Sequence, residues 1–156
     1  MKDFEFSARV RLMTDRLWRI SWSILRSGAD ADDALQEALL RASKSVGRLK
    51  DEALFETWLT RILINECKRI LRKRRPDAPA DGMPESVQPD HRELYEAIGM
   101  LKKDLKLPLI LYYMEGYPIR DIARILRLSE YNVKARLYRA RKILKQELNE
   151  EAAEDE

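Results

Sequence analysis

Five cations, Lys134, Arg136, Arg139, Arg141 and Lys142, crowd the stretch from Leu128 to Leu144, in which Glu130 is the only acid. Guanidinium and ammonium groups at this density hold phosphates, and the same groups donate to guanine O6 and N7 in a major groove. His91 is the single histidine, beside a proline-rich run, and Cys67 the single cysteine, within an apolar run. No Gly-rich phosphate loop, nucleophile elbow or metal-ligand spacing occurs. One cysteine also excludes an intrachain disulfide. The pattern points to binding of a polyanion and not to catalysis, with no cofactor and no metal expected.

Cations can act on DNA only if an element presents them. Leu128, Val133, Leu137, Ala140 and Leu144 recur at helical spacing through the same stretch, which predicts a helix with one apolar side. The longer run "PIRDIARILRLSEYNVKARLYRARKIL" has helix-turn-helix form. Ile122 and Ile125 face inward from a first helix, Ala123 is small where two helices cross, and Ser129 caps the second. Arg127 occupies the turn position often taken by Gly, where a positive φ costs about 1 kcal/mol. The apolar stripe docks the helix and the cations face a DNA groove. The bland alternative is a solvated basic surface helix.

The rest of the chain is helical by the same test. Hydrophobic content of 45%, with only 5 Gly and 6 Pro in 156 residues, supports packed helices. The predicted helices are "FSARVRLMTDRLWRISWSIL", ended by Gly28; "DADDALQEALLRASKSV", with Asp30 as N-cap, Asp33 three residues later and Gly47 closing it; and "LFETWLTRILINECKRILRK". Between the last two lies the charged loop "GRLKDEA". The second half divides into "RELYEAIGML", "KLPLILYYMEG", "PIRDIARIL" and "SEYNVKARLYRARKILKQEL". Four prolines within "PDAPADGMPESVQPD" argue against regular structure there. The fold class is therefore all-α, as two small helical domains, 1–75 and 92–149, joined by an extended, flexible, acidic linker over 76–91. That linker is either a solvated spacer or a functional thread.

Charge is unevenly spread. The tail 150–156 carries five carboxylates, so residues 1–149 hold a net +8 against +3 for the whole chain. A basic body fits a polyanionic partner. Charges interrupt the N-terminus at Lys2, Asp3, Glu5, Arg9 and Arg11, against a signal peptide, and the apolar runs are too short to span a bilayer. A soluble, cytoplasmic protein without membrane insertion is expected.

Taken together, the two halves resemble the bacterial RNA polymerase sigma factors, in their compact extracytoplasmic-function group. The second half is similar to sigma domain four, through "YMEGYPIRDIARILRLSEYNVKARLYRARKIL", and the first to sigma domain two, through "DADDALQEALLRA" and "LFETWLTRILINECKRILRK". The resemblance implies a non-enzymatic factor that binds core RNA polymerase, at its β′ clamp and β flap, and directs initiation at promoter DNA. It also implies an anti-sigma protein as a partner. On the acidic helix it assigns polymerase contact to Asp30, Asp33, Gln36, Glu37, Leu40 and Arg41; capping and ordinary surface charge are the alternative. On and after the loop it assigns the −10 element to Arg48, Leu49, Lys50, Asn65, Lys68 and Arg69. There a flipped base must be captured, at a cost of a few kcal/mol. Asp51 and Ala53 depart from the Gly and Ser common in that loop. Phe55 and Trp58 follow it as core or as support for it, and "KRILRKRR" suits phosphates. The linker would run through the RNA exit path. On the recognition helix the −35 element falls to Lys134, Ala135, Tyr138 and Arg139 at base edges, where a Tyr ring can meet a thymine methyl, and to Arg136 and Arg141 at phosphates. A free-standing helix-turn-helix regulator is the rival reading. It leaves the first half unexplained.

Overall fold

The computed structural model describes residues 1–74 and 92–154, with side chains to 149; the linker expected over 76–91, with His91, lies outside the described residues. The chain divides into two compact units, Met1–Gly82 and Met83–Glu156. Every regular element among the described residues is helical, in agreement with the all-α expectation.

The first unit is a bundle of three helices, α1 (Asp3–Leu25), α2 (Gly28–Ser45) and α3 (Phe55–Lys73), each packed on the other two. Its core is built from Met13, Leu17, Ile20 and Ile24 on α1 and from Phe55, Leu59, Leu63 and Cys67 on α3, all buried and all at spacings of three or four. Facing these helices, α2 offers Ala31, Ala34, Ala38 and Ala42, likewise buried. A ridge of methyl groups lets the α2 backbone approach both neighbours closely.

Three helix ends differ from expectation. Gly28 does not end α1. The helix stops at Leu25, where Arg26 adopts a left-handed φ of 54° and lays its guanidinium over the Trp22 ring at 4.3 Å. The cation–π contact offsets part of a backbone strain that Gly would avoid. Nor is Asp30 the N-cap of α2. Ser27 is extended, and its hydroxyl accepts from the Asp30 amide at 3.2 Å, which frees the Asp30 carboxylate for another partner. Gly47 does not close α2 by a left-handed turn either. The chain passes into a single tight turn, Val46–Arg48, and a second one, Glu52–Leu54, leads into α3 with Asp51 capping it through the Ala53 amide at 3.0 Å.

The second unit comprises α4 (Arg92–Gly99), α5 (Lys103–Leu109), α6 (Ile119–Leu126) and α7 (Glu130–Glu154). The last turns of α5 continue as a wider helical turn, Ile110–Met114. Pro108 inside α5 has no amide to give the Asp104 carbonyl, and Arg136 of α7 donates to that carbonyl at 3.4 Å. Gly116, at φ 73°, turns the chain into α6. The turn after α6 is as the sequence predicts: Arg127 has a φ of 56°, and the Arg127 and Leu128 amides both bond the Ala123 carbonyl. Ser129 accepts from the Asn132 amide at 3.1 Å, and Val133, Leu137, Ala140 and Leu144 are buried against α4–α6. α7 runs further than the predicted segment ending at Leu148, to Glu154, so much of the acidic tail is backbone-continuous with the recognition helix.

Candidate nucleic-acid and partner interfaces

In the second unit the interface is defined by what the core leaves over. α7 turns Val133, Leu137, Ala140 and Leu144 inward, so its opposite side carries Tyr131, Ala135, Tyr138 and Lys142. Lys134 and Arg139 lie to either side of that ridge, and both are exposed. Of the six residues expected on DNA, Lys134, Ala135, Tyr138 and Arg139 therefore share the outward half of the helix. Arg136 and Arg141 are turned back toward the body. Arg136 reaches Asp104, at 3.8 Å from its carboxylate, and Arg141 donates to the Tyr113 hydroxyl at 2.7 Å. Both cations hold α7 to α5 and its continuation while staying at the edge of the outward face. Tyr131 and Lys142 belong to the outward ridge and were not among the expected readers; the 3.6-residue period, counted from Tyr138, was the signal that finds them.

The same unit has an apolar groove of about 420 Å³ between α4, α5 and α7. Leu94, Ile98, Leu109, Met114 and Leu144 line it, with Arg141 and Lys145 among its polar residues. Sequence reading did not find it, because its walls come from three elements whose apolar residues each look like ordinary core.

In the first unit the expected polymerase-binding residues fall into two sets. Asp33, Gln36 and Leu40 are exposed on α2. Asp30 and Arg41 are engaged within the bundle. Arg74 pairs with Asp30 at 2.6 Å and donates to the Leu25 carbonyl at 2.7 Å, tying the end of α3 to the α1–α2 junction. Arg41 reaches across to the buried Glu66 of α3 at 2.6 Å, with Glu37 3.6 Å away. Between α2 and α3 a groove of about 290 Å³ is lined by Asp30, Asp33, Gln36, Glu37, Glu66, Arg69 and Ile70. Its four carboxylates are met by three guanidinium groups, Arg69 in the lining and Arg41 and Arg74 beside it, which leaves the groove a small acidic excess at Asp33.

Arg69, expected at the −10 element from the run after the loop, is engaged within the bundle. It sits one turn beyond Glu66, 2.9 Å from that carboxylate, and faces α2. Arg48 and Lys50 are exposed on the loop and Leu49 is half-buried, whereas Asn65 and Lys68 lie about 15–20 Å further along α3 at 1.5 Å per residue. The loop cations and the later α3 polar residues form two patches. Arg74, from the run expected on phosphates, is taken up by Asp30. Phe55 is fully buried, edge-on to Phe6 at 5.9 Å, tilted against Trp58 at 5.8 Å and under Arg9 at 4.8 Å. It is core, and Trp58 packs on it behind the loop. Cys67 is buried as expected. Burial pushes its thiol up to about 12, and Ser21 beside it lowers this only in part, so it is not a nucleophile. Among the described residues no His, Cys, Asp and Glu cluster could hold a metal, and no helix is long and apolar enough to cross a membrane.

Comparison with known proteins accounts for both units. Residues 10–76 match the family of sigma-70 region 2 and residues 91–144 that of sigma-70 region 4. The chain is 34% identical to the ECF RNA polymerase sigma factor SigM of Mycobacterium tuberculosis, over 88% of this chain and 74% of that protein. It is 29% identical to RNA polymerase sigma factor SigV of Bacillus subtilis, over 86% and 85% of the two chains. The fold matches the sigma factor RpoE of Bartonella quintana, solved with the anti-sigma factor NepR, with a TM-score of 0.81 at 23% identity over 93% of this chain and 97% of that one. It matches CnrH, solved with the cytosolic domain of CnrY, with a TM-score of 0.78 over 95% and 90%. Two sigma-70 regions matched in order, each on one compact unit, set aside the free-standing regulator: the chain belongs to the sigma-70 family of RNA polymerase sigma factors, in the extracytoplasmic-function group.

Proposed function

We propose that this sigma factor holds core RNA polymerase through the acidic groove of its first unit and reads the −35 element with the outward face of α7. The carrying observation is that face. Its core-opposed side is cationic and aromatic, it is capped and held by Ser129, Arg136 and Arg141, and nothing within the described unit covers it. Lys134, Ala135, Tyr138 and Arg139 meet base edges, with Arg136 and Arg141 at flanking phosphates. Asp33, Gln36, Glu37 and Leu40, with the groove behind them, suit a basic and partly apolar helix such as the β′ clamp offers. The apolar groove of the second unit suits a helix of the β flap. Arg48, Leu49 and Lys50, with Asn65 and Lys68, meet the −10 element.

The protein has no catalytic activity of its own in this reading and works in the cytoplasm, where its polymerase is. RpoE and CnrH were both solved with a regulatory partner, which supports an anti-sigma factor for this chain. The test is run-off transcription: core enzyme with this protein initiates at defined fragments of the host genome where core alone does not. Equal transcript profiles with and without the protein refute the proposal.

A further inference from the structure

Folding disposes of most tyrosines in the second unit. Tyr117 is buried, Tyr112 and Tyr113 pack edge-to-face at 4.9 Å, and the Tyr113 hydroxyl takes Arg141. Tyr131 and Tyr138 are different. They are 78% and 61% exposed, and within the described residues no hydrogen bond, ion pair or ring contact holds either one. Seven positions separate them on α7, nearly two full turns, so both rings project the same way from the outward ridge, about 10 Å apart along the axis. The half-buried methyl of Ala135 lies between them and leaves both rings clear. Lys134 and Arg139 flank the ridge and Lys142 follows it, all three exposed.

Aromatic rings on water gain nothing from folding alone; their burial comes with a partner. Cations on both sides set the partner's chemistry. They suit a polyanionic groove, where Lys134 and Arg139 meet base edges to either side and the rings between them are directed at its floor. Tyr131 is the second residue of the helix, in the part that enters deepest in a helix-turn-helix complex. The apolar feature on a major-groove floor is the thymine methyl.

We infer that Tyr131 is a specificity-determining residue, and that Tyr131 and Tyr138 together read the methyl groups of two thymines about three base pairs apart, from a 10 Å ring spacing and a 3.4 Å base-pair rise. This rests on the initiation-factor reading and adds to it a residue and a base identity.

The test uses holoenzyme, reconstituted from core polymerase and the full chain, on a promoter it selects. Each thymine of the upstream element is replaced in turn by deoxyuridine, which removes the methyl alone. Wild type loses about fourfold in promoter occupancy, the value of one buried methyl, at two positions with that spacing. Tyr131→Ala loses a similar factor on unmodified DNA and becomes indifferent to one of the two replacements; Tyr138→Ala becomes indifferent to the other. Tyr131→Phe keeps the ring and behaves as wild type. Both side chains sit on solvent, so unchanged melting curves accompany all three variants. A flat deoxyuridine scan, or a Tyr131→Ala holoenzyme that still senses both methyls, overturns the inference while wild-type initiation stays specific. A wild-type holoenzyme with no promoter preference overturns the reading beneath it, and this inference with it.

Discussion

Arg41 on α2 and Glu66 on α3 meet at 2.6 Å, and Glu66 is 4% exposed. A carboxylate so buried is costly unless its oxygens are met. Arg41 meets one, and Arg69 lies 2.9 Å from the other as an ion pair without hydrogen-bond geometry, so that Glu66 Oε2 is left short of a donor. The three side chains therefore set the register of two helices whose other contacts are methyl groups and apolar stripes. Arg41→Ala leaves Glu66 with Arg69 alone. Because Arg41 is itself half-exposed, the cost is about 1 kcal/mol, or about 5 °C in the melting point of the first unit. Thermal denaturation followed by circular dichroism measures it; an unchanged melting point removes the pair from the stability of the bundle.

Gln36 and Glu37 behave differently, since neither meets a buried group on α3. Gln36→Lys with Glu37→Lys turns the rim of the acidic groove basic. Affinity for core polymerase is expected to fall about tenfold or more, the effect of like charges facing across an interface, while helicity and melting stay near wild type. Affinity measured by competition for core enzyme decides it: a double variant that binds as wild type takes this rim out of the interface.

Cys67 gives the first unit an alkaline limit. Its thiol titrates near 12 in the folded protein against 9.0 for a free side chain, because burial disfavours the thiolate. The folded pKa is the higher one, so the unfolded chain releases the proton first. The stabilising contribution is whole below pH 9 and is lost progressively as pH rises from 9 toward 12. Cys67→Ala is expected to flatten the fall in melting temperature over about pH 8.5–10.5 relative to wild type, whatever constant packing loss it adds. In the native protein at about pH 8 the thiol resists maleimide, and urea exposes it. Prompt native labelling contradicts the burial.

The helix count, the helix-turn-helix and even the strained Arg127 were legible because each is written locally. Apolar spacing of three and four, a Ser before a polar run and a small residue at a crossing all act within a few positions of where they are read. The misplacements share one cause. Asp30 looked like a cap, and Arg69 and Arg74, both in the run "KRILRKRR", like phosphate contacts, and each was claimed by a charge on another turn or another helix: Arg74 is 44 residues from Asp30. Which charges pair across a bundle depends on helix register, and a ridge of alanines fixes register only once the helices are packed. The apolar groove beside α7 was invisible for the same reason.

Arg139 and Arg141 separate reading from holding on the same helix. Arg139 is exposed beside Tyr138 on the outward half of α7, whereas one nitrogen of Arg141 is committed to the Tyr113 hydroxyl at 2.7 Å. An arginine fixed at the edge of the face can offer its remaining donors to a phosphate but cannot reach a base at the floor. Arg139→Ala is expected to cost about 1–3 kcal/mol on the cognate element and to relax preference at one or two base pairs. Arg141→Ala is expected to weaken cognate and scrambled duplexes by the same factor and to lower the slope of log affinity against log salt by about one. Tyr113→Phe tests the tether without touching the charge; it loosens the guanidinium and leaves sequence preference as it was. The assay is holoenzyme occupancy of cognate and scrambled −35 elements across a salt series. If Arg139→Ala lowers both affinities equally, Arg139 is itself a phosphate contact, and the reading face is centred further toward Lys134.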